Sequence, residues 1–428
     1  MKILIKNGHV LDPDTGTDGI YDVLNLDGRI EKVEENINCS ESDKVILADG
    51  KYVMPGLIDL HVHFREPGFE YKETIKTGSM AAARGGFTSV CPMPNTNPVI
   101  DSKEMIEYLL QKEREDSLVH ILPVGAVTKG QAGAELADIK GMTEVGAKAL
   151  SEDGKSVMDI LVYVEGMKKA RENNLVILAH CEDKNLVRGG VMNAGKKAEE
   201  LGLKGITNAV EDVIAARDIF LAQEAGAKLH LCHCSTKDSV ALIKMAKEQG
   251  YAVTGEVCPH HFTMCDEEIL SDDGNYKMNP PLRSRADVQA LKEGLRDGIM
   301  DVISTDHAPH STQEKAASMS KAPFGITGLE TAFALAVTEL VKTGYLTPMQ
   351  LVEKMSYNPA KVIGIDKGSL AVGKAADLVI ADFDAAYRIE SDKFVSKGKN
   401  TPFDGKEVSG RILKTFVDGN LVYDYETE

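Results

Sequence analysis

Residues 57–68 read LIDLHVHFREPG and combine the pattern of a buried strand with residue types that bind metals. The apolar first half of this stretch is typical of a buried β-strand, and Pro67 with Gly68 indicates that a turn or loop follows. Side chains alternate between the two faces of a strand, so His61 and His63 point the same way near its carboxyl end. Two imidazoles on one side of a strand end favour half of a metal site, with a pair of metal-free buried histidines as the alternative.

Seven further apolar runs follow the first one, and segments with helical periodicity separate most of them. We expect all eight to be buried parallel strands: residues 57–62, 87–93, 120–126, 146–150, 175–180, 228–233, 251–257 and 301–306. Eight parallel strands that alternate with helices close a barrel, so the sequence predicts an α/β fold of the (β/α)8 TIM-barrel type. Such barrels carry their chemistry at the carboxyl ends of the strands.

Several of the connecting segments carry helix start and stop signals. Ser235 or Thr236 can cap the helix KDSVALIKMAKEQ, which ends just before Gly250. Later in the chain, Thr347 is a predicted cap and Pro348 occupies the first helical position. These signals support the alternation of strands and helices.

The two ends of the chain have a different pattern, because short strands and tight turns replace the alternation. Asp27-Gly28 and Asp49-Gly50 mark turns near the N-terminus, and Asp418-Gly419 marks one near the C-terminus. We therefore predict one small β subdomain built from both termini, residues 1–55 plus 366–428, beside a barrel of residues 56–365.

Composition limits the class of protein and its partners. The formal charge of −17 argues against nucleic acid or an anionic membrane as a partner, because both require a basic face. No apolar run approaches the roughly 20 residues of a membrane span. The polar N-terminus and seven scattered cysteines, an odd number, favour reduced thiols and a cytoplasmic location. An anionic substrate would need local cations such as metal ions and an arginine.

Metal-ligand residues recur at the ends of the predicted strands. The set consists of His61, His63, His180, His233 and Asp306, with Asp153 just beyond the fourth strand. Parallel strands in a barrel bring these ends together although the sequence separates them widely. Imidazole and carboxylate ligands suit Zn²⁺ best, with Mn²⁺, Co²⁺ and Fe²⁺ less favoured. Six ligands exceed one tetrahedral ion, so we expect two zinc ions per subunit.

Five segments resemble those of a known family: DLHVHFREPG (59–68), MPNT (93–96), MNPPLR (278–283), STDHAPHSTQEK (304–315) and FGITGLET (324–331). They closely resemble the bacterial long-form, class I dihydroorotases of the amidohydrolase superfamily, and the similarity covers essentially the whole chain. The resemblance implies reversible cyclisation of N-carbamoyl-L-aspartate to (S)-dihydroorotate plus water, in pyrimidine biosynthesis. It also implies a small-molecule substrate and a homodimer.

The resemblance assigns roles residue by residue. It implies that His61, His63 and Asp306 hold one zinc ion, that His180 and His233 hold the second, and that Asp153 bridges them. Asp306 would also be the general base. The implied substrate-binding residues are His63, Arg65, Asn95, Asn279, His310, Phe324 and Gly325. Many relatives bridge the two ions with a carbamylated lysine, for which Lys148 and Lys155 are the alternatives to Asp153.

Other readings of the sequence make different predictions. A related cyclic amidase, either an allantoinase or a hydantoinase, would not need Arg65 for a substrate carboxylate. An inactive homologue that serves as a structural partner would usually lose metal ligands, whereas this chain keeps the complete set. Residues 311–323 are either a lid over the site or a plain surface loop. Asp59 and Glu182 could orient neighbouring histidines or make simple strand-end hydrogen bonds.

Overall fold

The computed structural model describes residues 2–38, 40 and 42–427. The architecture is α/β. The strands are β1 (Lys2–Asp12), β2 (Thr17–Leu26), β3 (Arg29–Glu34), β4 (Lys44–Leu47), β5 (Tyr52–Pro55), β6 (Leu57–Val62), β7 (Phe87–Pro92), β8 (His120–Ile121), β9 (Val124–Ala126), β10 (Ala149–Ser151), β11 (Val176–Ala179), β12 (Met192–Asn193), β13 (Gly205–Ile206), β14 (Lys228–Leu231), β15 (Val253–Val257), β16 (Val302–Ile303), β17 (Leu378–Arg388), β18 (Glu407–Val417) and β19 (Asn420–Asp424).

The helices lie mainly between the parallel strands. They are α1 (Ile75–Arg84), α2 (Lys103–Asp116), α3 (Ile139–Glu144), α4 (Ile160–Glu172), α5 (Lys184–Val187), α6 (Lys196–Leu201), α7 (Ala209–Ala225), α8 (Lys237–Glu248), α9 (Pro259–Thr263), α10 (Arg285–Arg296), α11 (Thr312–Lys315), α12 (Ala332–Ala336), α13 (Pro348–Val352) and α14 (Asn358–Ile363). None of the helices in the described part of the chain combines the length and apolar character that crossing a membrane requires.

The eight predicted parallel strands are all present. One set of pairings joins β6, β7 and β8, and a second runs in chain order from β9 through β10, β11, β14 and β15 to β16. The third predicted strand is split into β8 and β9 at Leu122-Pro123, because proline has no N–H to donate. A parallel bridge between Val62 and His307 places the end of β6 beside the end of β16. The carboxyl ends of these strands therefore share one edge.

The parallel strands are buried on both faces, as their continuous apolar character predicts. Every residue of β6 and β7 is buried. The predicted cap of α8 is confirmed, since the Thr236 side chain accepts a hydrogen bond from the Ser239 N–H. The same helix buries Val240, Ile243 and Ala246 on one face. Helix packing of this kind holds each strand end in place.

A second sheet is assembled from both ends of the chain. Its order is β19-β18-β17-β5-β1-β2-β3, with β4 paired to β1. The junction is the antiparallel pairing of β5 from the N-terminal part with β17 from the C-terminal part. Asp27 and Gly28 form the turn between β2 and β3, and both have positive φ, as a tight hairpin requires.

Candidate metal centre

The shared strand edge gathers all six predicted metal ligands. His61 and His63 come from β6, Asp153 follows β10, and His180 and His233 follow β11 and β14. Asp306 follows β16, and every one of the six side chains is buried. The structure therefore brings together residues that the sequence separates by more than two hundred positions.

Distances within the cluster are those of groups that can share a metal ion. His61 Nε2 lies 3.1 Å from Asp153 Oδ1 and 3.6 Å from Asp306 Oδ1. His63 Nε2 lies 3.0 Å from Asp306 Oδ1, and His180 Nδ1 lies 2.9 Å from His233 Nε2. Two ligands of one zinc ion, each about 2.0–2.2 Å from it, are at most about 4.4 Å apart. In two triads of the cluster, all ligand atoms lie within 4.8 Å of one another: His61, His63 and Asp306, and His61, Asp153 and His233.

Buried nitrogen atoms in the cluster support metal binding. His61 Nε2 and His180 Nε2 are both buried and make no hydrogen bond of acceptable geometry among the described residues, although carboxylate oxygens of Asp153 and Glu182 lie 3.1 Å and 3.6 Å from them. A buried polar atom without a partner is costly, so such an atom usually has a function. The donor set of imidazoles and carboxylates fits zinc, and the residues present therefore fit the metal cofactor that they predict.

The electrostatics favour ionised carboxylates in the cluster. Although burial opposes ionisation, the neighbouring histidines hold the pKa of Asp153 well below its usual value. Burial is likewise outweighed at Asp306, where His63 and other imidazoles lower the pKa to about 2. The ionised form is the one that coordinates metals.

Three residues of the site have left-handed backbone conformations. The φ angles are +62° at Arg65, +36° at His233 and +47° at Asp306. Non-glycine residues seldom adopt this region, and such strain is concentrated at functional sites. His233 and Asp306 belong to the cluster, and Arg65 lies beside it, so the strained residues coincide with the candidate site.

Glu256 is a functional neighbour that the sequence analysis missed. It lies on β15 and is fully buried, and its Oε1 is 3.1 Å from His61 Nδ1. The same carboxylate accepts the His233 N–H at 3.1 Å and contacts His230 Nε2 at 3.0 Å. It therefore fixes the His61 ring with Nε2 facing the cluster. A charged residue inside the apolar strand 251–257 was the available signal.

Asp59, Asn95 and Glu182 contact the cluster in different ways. Asp59 accepts the His61 N–H at 3.0 Å and the Thr305 N–H at 3.1 Å, so it fixes main chain and not an imidazole ring. The Asn95 side chain contacts His63 Nδ1 at 3.0 Å and donates to Asp153 Oδ2 at 3.1 Å. Glu182 lies 3.6 Å from His180 Nε2.

Glu182 also connects the metal ligands to a predicted substrate residue. Its carboxylate accepts a hydrogen bond from the Asn279 side-chain amide. Asn279 therefore lies at the edge of the cluster, bonded to the carboxylate that lies 3.6 Å from His180 Nε2.

A cationic wall lies beside the cluster. Arg65 donates through Nε to the Pro309 carbonyl at 3.2 Å, and its guanidinium is 3.3 Å from His310 Nε2. Burial, with the charges of Arg65 and Lys72, lowers the pKa of His310 to about 2, so this ring is neutral. It lies 2.8 Å from the Phe324 carbonyl and 3.2 Å from Lys72 Nζ. Arg65 and Lys72 thus place positive charge beside the cluster in a chain of charge −17, with the Glu314 carboxylate 3.0 Å from Lys72 Nζ.

Sequence comparisons identify the family. A family model described as "Dihydro-orotase-like" matches residues 50–239, and one described as "Amidohydrolase family" matches residues 167–423. A dihydroorotase of Pelotomaculum thermopropionicum is 50% identical over 99% of this chain and 98% of its own length. A dihydroorotase of Acetivibrio thermocellus is 47% identical over 98% of each chain. The chain belongs to the dihydroorotase family.

Solved structures place this dihydroorotase family member among wider relatives. An L-hydantoinase from Arthrobacter aurescens is 28% identical, with a TM-score of 0.88 over 99% of this chain and 96% of that one. A D-hydantoinase from a Thermus species is 27% identical, with a TM-score of 0.85 over 99% of this chain and 95% of that one. The fold is thus shared with cyclic amidases, whereas the identity is far higher with the dihydroorotases.

Proposed function

We propose that the chain is a dihydroorotase that interconverts N-carbamoyl-L-aspartate and (S)-dihydroorotate plus water, a step of pyrimidine biosynthesis. The observation that carries this proposal is the complete set of six metal ligands beside the Arg65 guanidinium. Relatives named dihydroorotase that are 47–50% identical over nearly the whole chain support it. The enzyme is accordingly a cyclic amide hydrolase.

The proposal includes a barrel scaffold. We infer that the parallel strands close into a (β/α)8 barrel over residues 56–365, with residues 1–55 and 366–428 as the β subdomain. Closure is supported by the parallel bridge between Val62 and His307 and by the His63 N–H, which donates to the His307 carbonyl at 2.8 Å. A homodimer in the cytoplasm is part of the same proposal, and light scattering of the purified protein tests its oligomeric state.

Two zinc ions are the proposed cofactors. His61, His63 and Asp306 would hold one ion, His180 and His233 would hold the other, and Asp153 would contact both. The alternative of a carbamylated lysine is disfavoured by position. Lys155 is exposed, and Lys148 directly precedes β10, at the strand end opposite the metal ligands.

The proposed mechanism divides binding and proton transfer among named side chains. When bound, the zinc ions would supply water activation and polarisation of the scissile carbonyl. Asp306 contacts His63 through Oδ1 at 3.0 Å, and its Oδ2 makes no hydrogen bond among the described residues. This second oxygen can take a proton from the attacking water and deliver it to the leaving ring nitrogen. The reverse transfers close the ring.

The cationic wall and the main chain beside it would orient the substrate. Arg65 would bind the substrate carboxylate through its planar fork, with His310 and Asn95 next to it. Asn279 and the main chain of Phe324-Gly325 would hold the ring amides. These contacts would place the scissile bond against the metal ligands.

One assay separates the proposed function from its alternative. Hydantoinase activity is the second candidate, since the L-hydantoinase fold superposes with a TM-score of 0.88. The purified protein should hydrolyse dihydroorotate much faster than hydantoin or allantoin when the three are measured side by side. Hydrolysis of hydantoin or allantoin alone would overturn the proposal.

A further inference from the structure

Lys315 occupies an unusual position at the end of α11. Its side chain is only 2% exposed, although lysine is seldom fully buried without a partner of opposite charge. Its Nζ donates to three main-chain carbonyls: Lys277 at 3.0 Å, Pro323 at 3.1 Å and Gly325 at 2.8 Å. An ammonium has three hydrogens to donate, so these three acceptors satisfy it completely.

The three carbonyls belong to segments that carry proposed substrate contacts. Pro323 and Gly325 flank Phe324, and Lys277 lies two residues before Asn279. The Gly325 N–H donates to the Lys277 carbonyl at 3.0 Å, which joins the two segments directly. Lys277 also places its own ammonium 4.3 Å from the centre of the Phe324 ring. The buried Lys315 ammonium therefore lies where the segment around Lys277 meets the segment around Phe324.

The segment around Lys315 is fastened to its neighbours. Met319 is fully buried, and its N–H donates to Asp272 Oδ1 at 2.7 Å. The Gly274 N–H donates to the Ala317 carbonyl at 3.1 Å. A Cβ atom at Gly274 would come within 2.5 Å of the Lys315 carbonyl, so the two chains are in close contact. Residues 311–323 thus pack closely against residues 272–277.

We propose that Lys315 is a positioning residue for the substrate ring: it holds the main chain at Phe324-Gly325 and at Lys277 in the conformation that binds the ring amides. The contacts with the substrate ring rest on the proposed function. The attachment of the main chain to Lys315 rests on the three hydrogen bonds of its ammonium. Loss of the ammonium should weaken substrate binding while leaving the metal ligands in place.

The protonation of Lys315 gives the proposal a pH dependence. Burial, with the charge of Lys277, lowers the pKa of Lys315 to about 7, while Asp273 opposes the shift. The neighbouring His310 is neutral and adds no charge. The ammonium below this pKa donates three hydrogen bonds, whereas the neutral amine above it donates at most two. The main chain should therefore be held less tightly, and KM should rise, as pH increases through that pKa.

The test compares two buried lysines in the zinc-loaded enzyme. K315M removes the three hydrogen bonds, and K354M is the matched control because Lys354 is 5% exposed and donates to the Met300 carbonyl at 2.9 Å, near the amino end of β16. K315M should raise KM for dihydroorotate on the order of tenfold, which corresponds to the free energy of one hydrogen bond to a charged group. The zinc content should be unchanged. K354M should leave KM unchanged.

Hydrogen exchange gives a readout that does not depend on activity. The amides of Gly274, Met319 and Gly325 should exchange faster in K315M than in the wild type and in K354M. Equal exchange in all three proteins, or an equal rise of KM in both variants, would overturn the proposal. If the wild type fails to hydrolyse dihydroorotate, the proposed function fails, and the exchange comparison still decides whether Lys315 holds this segment.

The wild-type protein supplies a second test if K315M does not fold. KM and the protection of the Gly325 amide are measured from about one pH unit below to about one above the pKa of Lys315. KM should rise and protection should fall across this interval. A constant KM together with constant protection would contradict the role of Lys315.

Discussion

The metal cluster and the ring-binding wall beside it are built in different ways. The cluster consists of side chains at strand ends, such as His61, His180 and Asp306, and each is placed by a buried parallel strand. The wall consists of the side chains Arg65, Lys72 and His310 together with loop main chain at Lys277 and Phe324-Gly325, which the buried cation Lys315 holds. The cluster thus depends on residue type alone, whereas the wall depends also on the conformation of the chain.

Because of this difference, substitutions in the cluster and in the wall should change different measured properties. A change at the cluster should remove metal or turnover, because a ligand or a proton carrier is lost. A change at the wall should mainly raise KM, because it loosens contacts that are already present in the ground state.

Asp306→Ala should have the largest effect. Removing the proposed proton carrier should lower kcat by about 10²–10⁴-fold, in line with general acid–base catalysis. The assay is dihydroorotate hydrolysis with zinc measured in the same sample. Asp306→Asn is the control for volume, and it should be similarly slow because an amide cannot carry the proton. Wild-type turnover in either variant would remove Asp306 from this role.

Glu256→Gln should weaken metal binding. The carboxylate fixes the His61 ring and the His233 main chain, and loss of such a partner costs about 10–100-fold in metal affinity. Competition with a chelator measures the change. Glu330→Gln is the matched control, since Glu330 is a buried carboxylate that pairs with Arg84 away from the cluster. An equal loss of zinc affinity in the control would show a general effect of burial.

Arg65→Met should affect the wall more than the cluster. Loss of a charged hydrogen-bonding partner for the substrate carboxylate should raise KM for dihydroorotate about 10–100-fold, with a smaller change in kcat. Steady-state kinetics of both reaction directions measure it. Zinc content serves as the control and should stay at the wild-type value. A fall in kcat with unchanged KM would place Arg65 in the chemical step instead.

The sequence predicts the cluster well for a physical reason. Strand ends are visible as apolar runs, and a histidine or aspartate at or just beyond five of the eight predicted ends marks a candidate ligand without knowledge of the loops. Glu256 was not predicted, because its contact with the His61 ring joins two different strands and is not visible in the sequence around either residue. Lys315 escaped for a related reason, since its three acceptors are main-chain carbonyls whose positions no residue type reveals.

Most of the strands were also predicted from the sequence. The α/β architecture is confirmed, and the predicted parallel strands and the pairing of β5 with β17 are present, because periodicity and turn residues encode them locally. Closure of the barrel and the terminal β subdomain stay predictions. The break of the third strand at Leu122-Pro123 was not predicted, although Pro123 was the available signal. The domain boundaries stay a prediction.

Thr347→Ala should have the smallest effect and touch neither region. Its side chain accepts the Gln350 N–H as the predicted cap of α13, so its loss should cost about 1 kcal/mol in the free energy of unfolding. Ser102→Ala is the matched control, because the Ser102 side chain makes no cap hydrogen bond at α2. Chemical denaturation measures both variants, and kinetics should be unchanged. Equal stability of the two variants would contradict the role of the cap.

We propose that six ligands at or just beyond the strand ends hold two zinc ions for dihydroorotate hydrolysis. The most direct measurement is the zinc content per subunit of the active protein, followed through chelation and zinc return. We predict two zinc ions per subunit, loss of dihydroorotate hydrolysis with the metal, and recovery when zinc is restored. Full dihydroorotate hydrolysis by metal-free protein would contradict the claim.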